Sequence, residues 1–466
     1  MSDVASVQKP HWKPSVFSTR IVHDEVGSLV RHHRVSHAVH NEAREARAGL
    51  RPWFFFLVAG LFYFYEFFAR VAPGVLKADI LAATGASDGT FGLSMSMYFL
   101  AYAPAQLVVG RLLDRFGVRM IAAPAAAFVA LGCLVFAVTD NIVAMGLGRF
   151  MQGLGSSVAY LGVVYLAMVW FPPSRHGVVP GLAVAMGTLG ASTAQFPLTI
   201  LAESFGWRAP LFVCTLVGFG IAIMLWFFVP RRPSWFIELM KQDGYNPDAP
   251  VPILTTIMEV ARDRQLWLIA LSGAGLYLPI SVIGDLWGDA FLQIETGLTI
   301  KGASLATTLI FVGFAAGGVC FGHLADRLGR RKMLYLSCAI ASTVIASMIM
   351  LANIQPTWFT VVLLGMLGFT TGGQALAFVM TADNAARHNR GMKLAFVNFI
   401  VMFLPVLAQP SVGFIANMGD AGNGLPSQVQ ELKGYSLVVA LMIIGTIITF
   451  FIRDTKPRDD SSAIGH

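Results

Sequence analysis

An all-helical membrane protein of twelve spans, arranged as two related sets of six, is the fold this sequence predicts. Three observations carry the prediction. Apolar stretches of about 20 residues, each long enough to cross roughly 30 Å of hydrocarbon, recur along the chain. A charged segment is written twice, GRLLDRFGVRM from Gly110 and GHLADRLGRRK from Gly322, 212 positions apart. Lys and Arg crowd the inter-span segments on one side and leave Lys77, Arg208, Lys301 and Lys433 on the other, the bias that orients a chain in a membrane.

In chain order, residues 1–51 form a polar leader holding His11, His23, His32, His33, His37 and His40. It lacks the short apolar core of a cleavable signal. Val26, Leu29, Val30, Val35 and Val39 give 24–48 the sparse apolar face of a surface-lying amphipathic helix. His33 and His37 share the i, i+4 spacing of a metal-ligand pair, but a solvated tail without metal is the expectation. Span one covers 52–75 and reads FYFYEFFARVAPGV in its second half. Spans two and three, 91–110 and 119–139, flank the first charged segment, where a Gly (Gly110) opens a charged turn. Span four, 142–170, contains Arg149, Gln152, Gly153 and Gly155. Span five, 178–201, carries Gly181, Gly187 and Gly190 at spacings that suit close helix contact, and span six covers 209–229.

A linker over 230–264, with PRRPSW, mixed charge and an NPDAP turn, separates the bundle of 52–229 from that of 265–453. Spans seven to twelve fall at 265–291, 303–325, 332–352, 357–381, 392–416 and 434–452, and a short tail, 454–466, follows. The duplication recurs elsewhere. Arg175-His176 answers Arg387-His388, and Gln195 with Pro197 is echoed by Gln409-Pro410. Both termini then lie on the basic side, taken as cytoplasmic.

Composition excludes the soluble classes. Apolar residues make up 56% and charged residues 13%, against roughly 25% charged in soluble domains. The formal charge of +7 is topological and implies a lipid bilayer, not nucleic acid, as partner. Cys133, Cys214, Cys320 and Cys338 each stand alone in apolar runs and read as small core residues. No GxxxxGK[ST], HExxH, CxxC pair or GxSxG appears, so neither direct ATP use nor an enzyme's catalytic centre is expected, and no cofactor.

Two copies of G-x-L-x-D-R-x-G-[RV]-R, after spans two and eight, resemble the cytoplasmic loop motif of the major facilitator superfamily. The likeness spans about 52 to 455 and extends to Arg149-x-x-Gln152-Gly153-x-Gly155 in span four. It implies a secondary transporter that opens a central site to each side of the membrane in turn. Span five lacks the Gly-Pro-rich pattern of the family's drug–proton antiporters. Asp114 and Asp326 stand at helix ends, where a carboxylate can meet a neighbouring helix N-terminus. With Arg115, Arg119, Arg327, Arg330 and Arg331 around Gly110, Gly117, Gly322 and Gly329, they are expected to latch the two halves. Alternatively the basic residues only anchor these segments in the cytoplasm.

Ionisable side chains inside a span are costly and usually functional. Glu66 and Arg70, four apart, share one helix face. Arg suits fork-like binding of a carboxylate or phosphate, and a span-one Arg below Tyr63 and Tyr65 resembles the organic-anion branches of the superfamily. Arg70, Glu66, Tyr65, Gln195 and Asn398 are the expected substrate contacts. Glu66 and Arg70 either present both charges to a zwitterion or pair with each other, leaving Arg70 for a simple anion. Asp285 in span seven is placed to face Arg70 across the halves, as a proton-coupling or gate residue. Arg149, read near the outer end of span four, is a second gate candidate. Asp289 is expected at the outer water interface, merely solvated. Tyr98, Tyr160, Tyr165 and Tyr277 could line the cavity.

The expectation is a monomeric, multi-pass transporter of the cell (inner or plasma) membrane. It would take up a small organic anion or zwitterion (a carboxylate, an amino acid or a dipeptide) by proton symport. Export of a metabolite or siderophore, and a non-transporting sensor signalling through the leader, remain as alternatives.

Overall fold

The protein's structure is a computed structural model that describes residues 41–42, 44–47, 49–172, 175, 178–242, 253–351, 357–385, 390–417 and 428–454. The leader with His33 and His37, most of the expected surface helix, the NPDAP turn, His176 and the Arg387-His388 pair lie outside the described residues. Among the described residues every regular element is a helix.

Span one is α1 (Arg51–Val75), with Pro52 at its first turn, where a missing N–H costs nothing. A short α2 (Lys77–Thr84) leads to α3 (Asp88–Val138). α3 is two helices that meet at Gly117, where the backbone leaves helical geometry, and they form spans two and three. Span four is α4 (Ile142–Ser156) with α5 (Ala159–Trp170), and spans five and six are α6 (Val178–Phe205) and α7 (Arg208–Phe228). The linker holds α8 (Ser234–Gln242) and α9 (Ile253–Ala261). Span seven joins α10 (Arg264–Leu278), a π-helical stretch Pro279–Trp287 and α11 (Gly288–Thr296). Spans eight and nine are α12 (Ile300–Leu328) and α13 (Arg331–Leu351). Span ten is α14 (Thr357–Thr371), a 3₁₀ turn Gly372–Gln374 and α15 (Ala375–Asp383). α16 (Arg390–Asn417) and α17 (Gln428–Phe450) complete the twelve. Leu216, Phe227 and Val319, each at least 70% exposed, mark the lipid-facing surface.

The duplication shows in the breaks. Spans four and ten are each interrupted after a 15-residue first helix, at Ser157-Val158 in one and Gly372–Gln374 in the other. The repeated motif is more helical than expected. Gly110 and Gly322 do not open a turn: both lie within α3 and α12, because LLDR and LADR continue the helix. The backbone turns only at Gly117 (φ 77°, ψ 164°) and Gly329 (φ 61°), a region L-residues avoid.

Contacts between spans one to six and spans seven to twelve gather at the face opposite the motifs. There α16 packs on α3, α12 on α6, and the π-helical stretch on α1. A methyl added at Gly74, Gly92 or Gly413 would come closer than 3.0 Å to the backbone of Asp285, Gln409 or Asp88. Glu203 and Lys301 pair at 2.6 Å on the same face. On the motif face, Asp263 caps α10 by accepting from the N–H groups of Gln265 and Leu266, and accepts 2.6 Å from Lys393 Nζ. Partial burial pushes the Asp263 carboxyl up, but Lys393 and the two N–H groups outweigh it and hold it below the ordinary carboxylate range.

Two outcomes follow from this geometry. Gly117→Ala forces an L-residue to positive φ and is expected to destabilise by about 1–2 kcal/mol, read as a lower melting temperature in detergent. Asp263→Asn keeps the cap but loses the charge, at a cost of up to about 1 kcal/mol. Because the folded carboxyl is depressed, that contribution is complete above the unfolded value near 3.9. It fades as pH falls through the lower folded value, so the melting curves of variant and parent should converge only in strong acid.

Candidate substrate site

Span one turns Glu66 and Arg70 to the same side, and the bundle closes over both: they are 0% and 1% exposed. Arg70 Nη2 donates to both Glu66 oxygens, at 3.0 and 3.2 Å. Arg70 Nε donates to Tyr98 Oη of α3 at 3.1 Å, and Tyr98 Oη donates to Glu66 Oε2 at 2.9 Å. Arg70 Nη1 donates 3.4 Å to Tyr277 Oη of α10, which ties the cluster to the other half. The guanidinium also lies 4.1 Å from the ring centre of Phe67 and 5.4 Å from that of Tyr102, cation–π contacts that strengthen when water is excluded.

Two further charges adjoin this cluster. Arg149 is buried, not near a water-facing end. Its guanidinium sits 4.7 Å from the Tyr98 ring centre, Nη1 donates 2.7 Å to Gln152, and Nε has no hydrogen-bond partner. The reason is depth: α4 enters from the far face, and Arg149 is two turns in. Asp285 is 2% exposed, has no hydrogen-bond partner on either oxygen, and lies within electrostatic reach of Arg70 and Arg149. Two carboxylates and two guanidiniums thus sum to zero formal charge, which lets an apolar bundle hold all four.

Not every expected residue joins them. Tyr65 points the other way, its hydroxyl 3.7 Å from Cys133 Sγ and its tip filling the space above Gly218; adjacent helix positions diverge by about 100°. Gln195 Nε2 donates to Gly284 O at 3.2 Å, and its counterpart Gln409 donates to Ser281 O at 2.7 Å. Both amides bind carbonyls of the π-helical stretch, so the echo between spans five and eleven is a matched pair of clamps on span seven. Asn398 is half-buried on α16, outside this network. Asp289 is not solvated but 4% exposed, with Oδ2 accepting 2.8 Å from Ser304. Lys77, counted among the outward loop residues, is largely buried. Its Nζ lies 2.7 Å from Asp88 and 4.4 Å from the Trp287 ring centre, a contact between the halves with no sequence signal beyond its charge.

The described contacts of the motif residues lie within one half or reach the linker. Arg232 of the linker donates to the Asp114 carbonyl and packs over Gly117, while Arg119 lies 5.2 Å from the Trp226 ring centre. Arg115 sits over its neighbour Phe116. In the second copy Arg327 and Arg330 are exposed, Arg331 pairs with Asp383, and the Asp326 side chain lies outside the described residues. Nothing in the sequence pairs Arg232, in the PRRPSW stretch, with a motif over 100 residues away.

The family model of the Major Facilitator Superfamily matches residues 55–292 and 271–465. The chain belongs to that superfamily. It is 23% identical over 426 residues to the cis,cis-muconate transport protein of Acinetobacter baylyi, covering 90% of this chain and 98% of the relative. It is 22% identical over 416 residues to the hexuronate transporter of Bacillus subtilis, with 85% and 94% covered. The fold matches a bacterial homologue of the human lysosomal transporter Spinster, solved inward-facing and unoccupied, with a TM-score of 0.66. The identity is 14%, with 87% of this chain and 97% of that one covered. The protein is thus a multi-pass membrane transporter of a small molecule, and not an enzyme.

Removing one partner of the buried pair should be costly, since the other charge is left uncompensated. Arg70→Ala is expected to destabilise by about 3–5 kcal/mol. The double change Glu66→Leu with Arg70→Met should recover most of that loss, read by melting temperature in detergent.

Proposed function

We propose that this superfamily member carries small organic carboxylates inward, coupled to protons, with Arg70 as the anion-binding group. The observation that supports this reading is the engagement of Glu66. Both of its oxygens accept from one nitrogen, Arg70 Nη2, which disfavours a zwitterion needing a free carboxylate and leaves a carboxylate-for-carboxylate exchange. An incoming anion takes the place of Glu66 on the guanidinium. Glu66, released from its counter-charge inside an apolar bundle, takes up a proton. Charge in the cluster is conserved: one anion and one proton enter together. Asp285, in reach of Arg70 and Arg149, can serve as a second acceptor. Muconate and hexuronate, named for two relatives, are both carboxylates.

In this reading 52–229 and 265–453 move as two bodies joined by 230–264, the motif face is cytoplasmic, and both termini lie on that side of the cell membrane, in a monomer. The contacts at Gly74, Gly92, Gly413 and Glu203–Lys301 close the outer side. The other state parts them, and the residues around Asp114 and Asp326 then meet across the inner side.

The test is a thermal-shift screen of the purified protein with cis,cis-muconate, glucuronate, single amino acids and dipeptides. A ligand at about 100 times its Kd adds roughly 2.7 kcal/mol. A carboxylate is expected to give that shift and to lose it in Arg70→Lys, which keeps the charge but not the fork. A shift undiminished in Arg70→Lys and Arg70→Ala sinks the site. Uptake of the identified carboxylate into proteoliposomes should rise when the outside is acidified; uptake indifferent to that gradient removes the proton.

A further inference from the structure

Span seven holds two buried carboxylates, four residues apart, and the outer one has surroundings the transport reading leaves unused. Asp289 opens α11 with Oδ2 bound by Ser304 Oγ at 2.8 Å, while its buried Oδ1 has no hydrogen-bond partner. Ser304 Oγ is in turn 3.0 Å from Thr199 Oγ1 of α6, in the other half. Thr199 Oγ1 also reaches the Gln195 carbonyl at 3.0 Å. Ser304 and Thr199 are 0% and 1% exposed. One turn beyond Thr199 on α6 stands Glu203, and three residues before Ser304 on α12 stands Lys301, paired with it at 2.6 Å and both open to solvent. Two hydroxyls in series, Thr199 and Ser304, therefore lead to Asp289 from the turn of α6 that precedes Glu203. Asp285 follows, one turn deeper.

We infer that Asp289 is a second proton-carrying carboxylate, loaded from the outer face through the hydroxyls of Thr199 and Ser304. The inference deepens the proton-coupled reading above and rests on it for the direction of flow. The proton count closes. With Asp289 ionised, Thr199 donates to Ser304 and Ser304 donates to Asp289. A proton delivered to the Thr199 oxygen by water beside Glu203 displaces the Thr199 proton onto Ser304, and the Ser304 proton moves to Asp289 Oδ2. Each hydroxyl ends with one proton, and Asp289 becomes neutral. The reversed line then runs from Asp289 through Ser304 and Thr199 to the Gln195 carbonyl. Asp285 stands four residues before Asp289, in the π-helical stretch of the same span.

The groups facing Asp289 fit a neutralisable acid. On α12 they are Ser304 and Thr307, with Thr199 of α6 behind Ser304. α17 contributes Tyr435, whose hydroxyl is committed to the Trp287 carbonyl at 3.3 Å. From the α1–α2 side the nearest cation is Lys77, held by Asp88. An Asp needed only to cap α11 could lie at the surface; this one is buried between the two halves.

The test reads protons directly and needs no substrate. Infrared difference spectra of the full chain in lipid are recorded during a pH titration, in H₂O and D₂O. Asp289→Asn should remove one protonated-carboxyl band and Asp285→Asn a different one. Ser304→Ala should shift the Asp289 band, and Thr199→Val should slow its exchange with D₂O at least tenfold while leaving the Asp285 band unchanged. Melting curves of the Asn and Val variants show that the comparison is made between folded proteins. An Asp289→Asn spectrum identical to the parent's means that Asp289 takes up no proton and overturns the inference. Unchanged exchange in both hydroxyl variants overturns the route. Gradient-independent uptake in the parent, with these bands intact, would instead refute proton coupling and leave Asp289 a titrating group.

Discussion

A guanidinium and a carboxylate cannot be held between apolar helices unless each answers the other, and that requirement organises this molecule. The idealised cost of moving either ion out of water is many times the net stability of a domain, and even the relaxed cost is several kcal/mol. Glu66 and Arg70 meet it by sharing two hydrogen bonds and drawing Tyr98 and Tyr277 into the same shell. Those two phenols belong to different halves. The pair in span one thereby fixes how α3 and α10 approach α1, and the halves meet around a polar centre whose charges cancel.

Span seven is built to respond to that centre. Its middle is π-helical from Pro279 to Trp287, a geometry that widens the turn and frees carbonyls from regular pairing. Gln195 and Gln409 bind two of those carbonyls from spans five and eleven. Asp285 and Asp289 project from the same stretch and the turn after it. The irregular helix, the paired amides and the two acids lie together at the seam between halves.

The sequence made the architecture plain because the membrane imposes length, hydropathy and charge bias on every span, and the duplication repeats them. Glu66, Arg70 and Asp285 were legible for the same reason: a charge inside an apolar run stands out. Direction was not legible. Tyr65 is adjacent to Glu66 yet faces Cys133, and only helix phase and packing decide that. Depth was misjudged for Arg149 and Asp289, because a sequence does not say how far neighbouring spans extend around a residue near a span's end. Lys77 with Asp88 and Trp287, and Arg232 beneath the first motif, are long-range partnerships that no local pattern encodes.

At Gly74, Gly92 and Gly413 the two halves meet backbone to backbone. At these three points no side chain stands between the two backbones. The attraction they lose on parting is spread thinly over many weak contacts of about 0.1–0.2 kcal/mol each. A bulky residue at one of these glycines would act as a wedge on the balance between states more than as a flaw in either half.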